Sequence, residues 1–349
     1  MFTKDVKDII NDSEVSVVAE VMGGLHPAYE FTKELLSAGK SVVTSNKELV
    51  ATYGSELLKL AEENNVNYMF EASVGGGIPI IRPLNRCLAA NNIIRIAGIL
   101  NGTTNYILYQ MITNDKSFDT ALKDAQANGY AERNPAADIE GHDACRKIAI
   151  LSSLAWGREV DYSGISTEGI VDITLEDVRY AAAAGAVIKL IGYAERLENG
   201  RIYAHVAPMM IGKDCLLSDI DDVYNGILVK GDAVGDVMFY GAGAGKLPTA
   251  SAVVADMIDS VIHKDRRALI GWEKTGEAVC ADADDKKFRY FMRTKDTAEA
   301  VKNTFGGAEI LKSLADGETA FITEELTASE AAEKSAGLKD MISSIRVFA

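Results

Sequence analysis

The chain has 349 residues, 48% of them hydrophobic and 25% charged, which is typical of a globular protein of two or three domains. Its net charge of -15, without any basic patch, excludes nucleic acid and anionic membranes as expected partners. No apolar run reaches the roughly 20 residues of a membrane span, and no secretory signal follows Met1. The four cysteines are scattered without a CxxC pair, which indicates reduced thiols in the cytoplasm, and the four isolated histidines predict no metal cluster.

The first part of the chain alternates between helical and strand patterns. It predicts a helix in residues 1–12, a strand in 15–21, a helix in 28–38, a strand in 41–46, a helix over roughly 54–64 and a strand in 67–74. This alternation predicts right-handed βαβ units and a parallel sheet. Because ligands of such sheets bind beyond the carboxyl ends of the strands, three stretches are candidate binding loops: residues 22–24, 44–47 and 71–79.

Two features of these loops each have two interpretations. Lys47 is either a lysine that faces a pocket or a solvated residue at the start of a helix. Three consecutive glycines, residues 75–77, either let the backbone approach a ligand closely or form a tight turn against a helix. A later glycine-rich stretch, residues 241–245, lacks the GxGxxG spacing of a dinucleotide fingerprint, and no stretch before Val15 has that spacing.

The rest of the chain predicts a mixture of helices and strands. The predicted elements are a strand in residues 93–100, a helix that Asn101 or Thr103 caps, helices in 119–128, 175–191 and 248–263, and a hairpin that turns at Asn199 and Gly200. Residues 264–285 are polar and predict a linker. Residues 286–349 predict the element order βαββαβ, which is the ferredoxin-like pattern.

Residues 128–147 concentrate acidic side chains ahead of one lysine, with Glu132, Asp138 and Asp143 preceding Lys147. Asp143 and Lys147 are four residues apart, so they are neighbours on one face of a helix. The residues that follow are apolar on nearly every face, which is typical of a buried helix. Lys147 is therefore either half of a structural ion pair that reaches water, or a pocket lysine that acids orient and that exchanges a proton.

Several separate motifs, in a consistent order, resemble those of homoserine dehydrogenase. They are VMGG, SNK, EASVGGGIPII, GILNGTTNYIL, the stretch from GYAE to the DACRK lysine, and GAGAG followed by PTASAVV. The resemblance spans about residues 20–263, and the βαββαβ tail is similar to the ACT domain that many bacterial members append.

The resemblance implies an α/β fold of three domains. A Rossmann-type parallel-sheet nucleotide-binding domain covers residues 1–72 plus about 241–268 and lacks its first βαβ unit. An α+β catalytic and dimerisation domain with a mixed sheet covers residues 73–240, and an ACT-like, ferredoxin-like domain covers 286–349. Because the sequence begins after the family's first strand and glycine loop, we expect an exposed strand edge and weakened cofactor binding.

The function that the resemblance implies is an NAD(P)-dependent oxidoreductase of threonine and methionine biosynthesis. It reversibly reduces L-aspartate 4-semialdehyde to L-homoserine, in the cytoplasm, as a homodimer or homotetramer. The cofactor is NADP or NAD, a choice that stays open because the deciding segment is absent from the sequence. A threonine effector at the ACT-like domain is implied too, although the tail lacks the P-G and Asn-rich turns of such a site.

The resemblance also implies roles for individual residues. Lys147 is the general acid/base, and the second catalytic residue, Asp143, is one of the acidic side chains around the substrate and the lysine. The substrate-binding residues are Glu132, which binds the ammonium group, and Asp138, Tyr130 and Thr103. The cofactor-binding residues are Lys47, Gly23 and Gly245. A monovalent cation, usually sodium, is held largely by backbone carbonyls at Glu71, Val74, Gly76 and Ile78.

Two other functions compete with this one. The first is a cofactor-deficient remnant of the family with an assembly or effector-binding role. The second is another Rossmann enzyme, such as a semialdehyde dehydrogenase that works through an acyl-enzyme. The sequence disfavours the second because none of the four cysteines lies in a plausible nucleophile turn.

Overall fold

The computed structural model describes residues 2–264, 270–275 and 279–348. The helices are α1 (Val6–Ile10), α2 (Ala28–Ser37), α3 (Lys47–Glu63), α4 (Gly102–Asn114), α5 (Phe118–Ala127), α6 (Ala136–Ile139), α7 (His142–Trp156), α8 (Leu175–Ala183), α9 (Lys246–Ile262), α10 (Ala298–Phe305) and α11 (Ala328–Ala336). The strands are β1 (Val17–Glu20), β2 (Ser41–Thr44), β3 (Tyr68–Met69), β4 (Ile93–Ile99), β5 (Ser166–Thr167), β6 (Ala186–Arg196), β7 (Ile202–Gly212), β8 (Tyr224–Gly231), β9 (Gly235–Ala242), β10 (Tyr290–Thr294), β11 (Glu309–Ile310), β12 (Thr319–Ile322) and β13 (Met341–Phe348). Among the helices of the described ranges, none is long and apolar enough to cross a bilayer.

The chain divides into two compact units, and each is built from several segments. The described residues of Met1–Ile96, Arg146–Ile165 and Val229–Val279 form the first unit. Those of Ala97–Cys145, Ser166–Leu228 and Cys280–Ala349 form the second. The bounds of the three domains stay a prediction.

A three-stranded parallel sheet organises the first unit, in the order β1-β2-β3. Val17 pairs with Ser41 and Val42 with Tyr68, and helices α2 and α3 connect successive strands. All four residues of the central strand β2 are buried, as in parallel sheets that helices cover on both faces. The predicted parallel sheet is confirmed, with β1 at its edge.

Several predicted elements have different bounds in the structure, and three of them show how. Helix α3 begins at Lys47 rather than near residue 54, because the side chain of Asn46 caps it by accepting the Leu49 N–H at 3.1 Å. The strand predicted in residues 67–74 ends at Met69 and gives way to a 3-10 turn. The alanine-rich helix predicted in residues 175–191 ends at Ala183, because Gly185 is left-handed (φ +73) and β6 begins directly after it.

The linker prediction for residues 264–285 is wrong for the part that the structure describes around Trp272. Trp272 is buried and contacts Phe70 edge to face, with ring centroids 5.5 Å apart. Its ring also lies 2.5 Å from where a side chain at Gly54 would begin, so only glycine fits there. Residues 265–269 and 276–278 of the predicted linker lie outside the described residues. The segment around Trp272 therefore belongs to the core of the first unit.

A mixed sheet organises the second unit. Strands β6 and β7 form the predicted hairpin, paired from Ala186 with Gly212 to Arg196 with Ile202. In the tail, the order β11-β12-β10-β13 with antiparallel neighbours is the ferredoxin-like arrangement that the sequence predicts. Strand β13 then pairs in parallel with β7, so the sheet of the tail continues into the hairpin.

An aromatic cluster in the second unit encloses His205 of β7. The imidazole is 1% exposed and lies 5.1 Å from the Tyr193 ring and 5.3 Å from the Phe288 ring, centroid to centroid. Within the described ranges, neither ring nitrogen has a hydrogen-bond partner. Burial, and then the charge of Arg346, hold the pKa of His205 well below its usual value.

This buried imidazole predicts a loss of stability in acid. The unfolded chain binds a proton at His205 as the pH falls below about 6.5, whereas the folded chain does not, so stability is full above that pH and falls below it. We expect His205→Phe to remove up to about 1.4 kcal/mol per pH unit from the acid slope of the unfolding free energy. Urea unfolding between neutral and mildly acidic pH measures this slope. The exposed His142 provides the control, His142→Gln, and equal slopes in all three proteins would contradict the prediction.

Candidate active site

Asn101 joins two of the predicted acids in the second unit. It is the N-cap of α4, where its Oδ1 accepts the Thr104 N–H at 2.9 Å. Its side-chain amide donates to Asp138 at 2.7 Å and to Asp143 at 2.9 Å. The sequence predicts Asn101 as a helix cap, and the structure adds that the other end of the same amide positions two carboxylates. Asp143 is buried and Asp138 is half-buried, so these carboxylates have fixed orientations.

The predicted residues Thr103 and Tyr130 are also in contact. The Thr103 hydroxyl donates to the Tyr130 carbonyl at 2.7 Å, and the Tyr130 ring packs on Tyr106 with centroids 4.9 Å apart. Tyr130 is 44% exposed, and Glu132, two residues further on, is exposed. At the start of α4, Asn101 therefore binds two carboxylates and Thr103 binds the backbone of the partly exposed Tyr130. Glu132 lies two residues after Tyr130.

Helix α7 contains both members of the predicted acid and lysine pair. Asp143 lies in its first turn and Lys147 four residues later, and they are 6% and 7% exposed. The flanking Ile148 and Leu151 are fully buried, which confirms that this helix is buried. Burial of Lys147 disfavours the interpretation in which its side chain reaches bulk water.

An ion pair that the sequence does not predict links the helices of the two candidate lysines in the first unit. Arg146, directly before Lys147 on α7, donates to the Glu48 carboxylate at 3.3 Å, and Glu48 directly follows Lys47 on α3. The Arg146 guanidinium also lies over the Tyr162 ring, 5.7 Å from its centroid. The first turn of α3 is thereby tied to α7 at the residues next to both lysines. Because the two partners are far apart in sequence, no local spacing rule could reveal them.

The loops after β1 and β2 are bound to each other at the carboxyl ends of these strands. The buried carboxylate of Glu20 accepts the Thr44 hydroxyl at 2.5 Å, and the Asn46 side chain donates to the Gly24 carbonyl at 2.7 Å. Gly24 is left-handed (φ +74), and the predicted cofactor residue Gly23 is exposed with open space where a side chain would begin. The strand ends therefore present an open backbone surface, which is where parallel sheets bind nucleotides.

The two glycine-rich stretches of the sequence lie side by side in the first unit. The Gly77 N–H donates to the Ala242 carbonyl at 3.0 Å, and a side chain on Gly76 would begin 2.7 Å from the Gly243 carbonyl oxygen. Gly245 is the N-cap of α9 and has φ +121. Residues 241–245, which lack a dinucleotide fingerprint, therefore pack backbone to backbone against the loop that contains Gly76.

The residues predicted to hold a monovalent cation form a buried loop with free carbonyl groups. Val74, Gly76 and Ile78 are buried, and no hydrogen bond within the described residues uses their carbonyl oxygens. The Glu71 carboxylate accepts the backbone N–H groups of residues 80–82. Carbonyl oxygens suit a hard cation, and the described residues contain no group of three or more His, Cys, Asp or Glu side chains that could hold a metal ion.

Two family profiles match most of the chain. The family profile of homoserine dehydrogenase matches residues 79–258, and that of the homoserine dehydrogenase NAD binding domain matches residues 1–71. The chain belongs to the homoserine dehydrogenase family. A homoserine dehydrogenase of Synechocystis is 46% identical over 264 residues, which are 75% of this chain and 61% of that relative. The chain thus spans about six tenths of the length of the curated relatives that it matches.

Solved structures of the family have the same fold. A homoserine dehydrogenase from Thiobacillus denitrificans has a TM-score of 0.92 at 37% identity and covers 99% of this chain and 85% of its own. A hyperthermophilic archaeal homoserine dehydrogenase in complex with NADPH has a TM-score of 0.64 at 30% identity, covering 75% of this chain and 76% of its own. These matches confirm the mixed α/β fold with a parallel-sheet nucleotide-binding region, and the matched NAD binding domain supports a nicotinamide cofactor.

Proposed function

We propose that the chain catalyses the reversible, NAD(P)H-dependent reduction of L-aspartate 4-semialdehyde to L-homoserine. The observation that supports this most strongly is the buried Lys147 one turn after Asp143, with Asn101 fixing the Asp143 and Asp138 carboxylates. Membership of the homoserine dehydrogenase family supports the same reaction.

The chain's own residues supply the proton chemistry and the substrate contacts. A nicotinamide, when bound, supplies the hydride. As the aldehyde carbon is reduced, negative charge develops on its oxygen, and the Lys147 ammonium donates a proton there. Glu132 binds the substrate ammonium group, Asp138 and Asp143 orient substrate and lysine, and Thr103 and Tyr130 line the pocket. In the oxidative direction Lys147 takes the hydroxyl proton back.

The cofactor and the cation use the first unit in this proposal. Lys47, Gly23 and Gly245 bind the nicotinamide dinucleotide, supported by the open backbone surface at the strand ends. The carbonyls of Glu71, Val74, Gly76 and Ile78 hold a sodium ion, supported by three buried carbonyl groups that accept no hydrogen bond within the described part of the chain. NADPH is the first cofactor to test, because the archaeal family member was solved with it.

Assembly and regulation extend the proposal. We infer a cytoplasmic homodimer or homotetramer in threonine and methionine biosynthesis, with an ACT-like tail that binds threonine. The ferredoxin-like arrangement of residues 286–349 supports the ACT-like assignment. Light scattering measures the oligomer, and a thermal shift with L-threonine measures effector binding.

One experiment separates the dehydrogenase from a cofactor-deficient remnant. The purified chain is titrated with NADPH by fluorescence and then assayed for NADPH oxidation that depends on L-aspartate 4-semialdehyde. Saturable binding with substrate-dependent turnover supports the enzyme. Threonine binding or assembly without NADPH binding identifies the remnant and overturns the proposal.

A further inference from the structure

The side chain of Glu71 organises the segment that follows it. Its Oε1 accepts the N–H groups of Ile80 and Ile81, each at 2.7 Å, and its Oε2 accepts the N–H of Arg82 at 3.0 Å. The Arg82 guanidinium donates to the same Oε2 through Nε at 3.2 Å. Glu71 is 2% exposed, so one buried carboxylate binds three consecutive backbone amides and the Arg82 guanidinium.

Asp256 of α9 fixes Glu71 from the other side. Its Oδ2 accepts the Glu71 N–H at 2.8 Å, and its Oδ1 lies 3.5 Å from Nη2 of Arg82. Asp256 is 1% exposed, whereas the Arg82 side chain is 26% exposed at the rim of the segment. Two buried carboxylates therefore share one guanidinium, and burial raises the pKa of Asp256 to about 7. Buried charge of this kind is costly unless a cation lies near it.

The same cluster helps to leave the carbonyl groups of Val74, Gly76 and Ile78 free. The Gly77 N–H donates to Ala242 and the Ile78 N–H to Gly75, while the amides of residues 80–82 all bind Glu71. None of these donors therefore reaches the carbonyls of Val74, Gly76 and Ile78. The left-handed Gly75 and Gly76 (φ +73 and +50) turn the chain within this loop. A loop with free carbonyl groups thus directly follows Glu71, whose carboxylate shares one guanidinium with Asp256 of α9, and both features favour a monovalent cation.

We propose that Glu71, Arg82 and Asp256 are positioning residues that build the cation loop, so that the Glu71 carboxylate shapes the site without ligating the ion. This inference rests on the cation site proposed above and deepens it. It assigns the side chains of Arg82 and Asp256 to the site and gives that of Glu71 a role distinct from ligation.

The test compares sodium chloride with choline chloride at equal ionic strength. In Glu71→Gln, the side-chain oxygen can still accept the Ile80 and Ile81 N–H groups, but the NH2 group that replaces Oε2 cannot accept the Arg82 donors. In Asp256→Ala, the Glu71 N–H loses its acceptor. We expect both variants to need roughly 10- to 100-fold more sodium for half of the sodium-specific rise in melting temperature. Linewidths of the sodium NMR signal measure the same binding without turnover. Asp259→Asn is the matched control, because Asp259 lies one turn along α9 and contacts Arg86 and His263 instead.

The outcomes separate this inference from the proposed function. The positioning role is overturned if folded Glu71→Gln and Asp256→Ala need no more sodium than the wild type for half of the sodium-specific rise in melting temperature. If either variant fails to fold, Arg82→Lys replaces it, because the Arg82 side chain is only half-buried. An unchanged sodium requirement in Arg82→Lys also overturns the role. If the wild-type chain shows no sodium-specific rise in melting temperature, the cation site and this inference are both overturned. The dehydrogenase reaction is tested separately, by the NADPH assay.

Discussion

Lys147→Met is expected to lower the turnover number by roughly 100- to 10,000-fold, the usual contribution of a general acid. Methionine matches the length and apolar stem of lysine, so the buried position on α7 keeps its packing and loses the proposed proton donor. The loss should fall on kcat more than on KM, because the proton is needed as charge develops on the substrate oxygen. Initial rates of NADPH oxidation with L-aspartate 4-semialdehyde measure both constants.

Two further variants make this result specific. Lys33→Met changes an exposed lysine of the first unit, paired with Glu56 at 2.8 Å, and should retain wild-type rates. Asp143→Asn keeps an oxygen for the Asn101 amide and removes the charge, so it should slow turnover while circular dichroism and the melting temperature stay unchanged. Near-normal turnover in Lys147→Met would contradict the role of Lys147 as general acid, even if NADPH still binds.

The features that depend on local pattern were predictable from the sequence. The alternation of strand and helix patterns predicted the parallel sheet. The residues after Lys147 predicted a buried helix, because they are apolar on nearly every face. The β6–β7 hairpin was predictable from its turn, because the dipeptide Asn199-Gly200 is a strong local signal for a tight turn. The candidate site residues around α4 came from the motif resemblance, and the structure shows which of them are in contact.

The features that depend on distant partners were not predictable. Glu71 lies in a run of strand-forming residues, so it reads as strand, but its backbone is held by Asp256, 185 residues away in the chain. The Arg146 and Glu48 pair is equally remote, 98 residues apart. Ala186 begins a strand after an alanine-rich helix because pairing with β7 overrides helix propensity. Tertiary contacts of this kind leave no periodic signal.

Arg293 is the strongest case of such a hidden contact in the second unit. It lies on β10, is 2% exposed, and donates to Asp177 of α8 at 2.8 Å and to Glu318 at 2.7 Å. Asp177 is fully buried and also accepts the hydroxyl of Ser343 at 2.6 Å. The Arg293 guanidinium lies over the Tyr180 ring at 5.4 Å. This network joins the ferredoxin-like tail to α8, in addition to the pairing of β13 with β7.

Arg293→Met should therefore destabilise the chain by roughly 3 to 5 kcal/mol, because it leaves the buried Asp177 carboxylate without its cation. Urea unfolding followed by circular dichroism measures the loss. Adding Asp177→Asn to Arg293→Met should restore part of it, since the unpaired charge is then removed, and the double-mutant cycle isolates the coupling. Arg289→Met is the matched control: Arg289 pairs with Glu309 at 3.2 Å but is 45% exposed, so its loss should cost less than about 1 kcal/mol. Equal costs for the two arginines would contradict a buried network, because only an unsolvated carboxylate makes the loss of its partner so unfavourable.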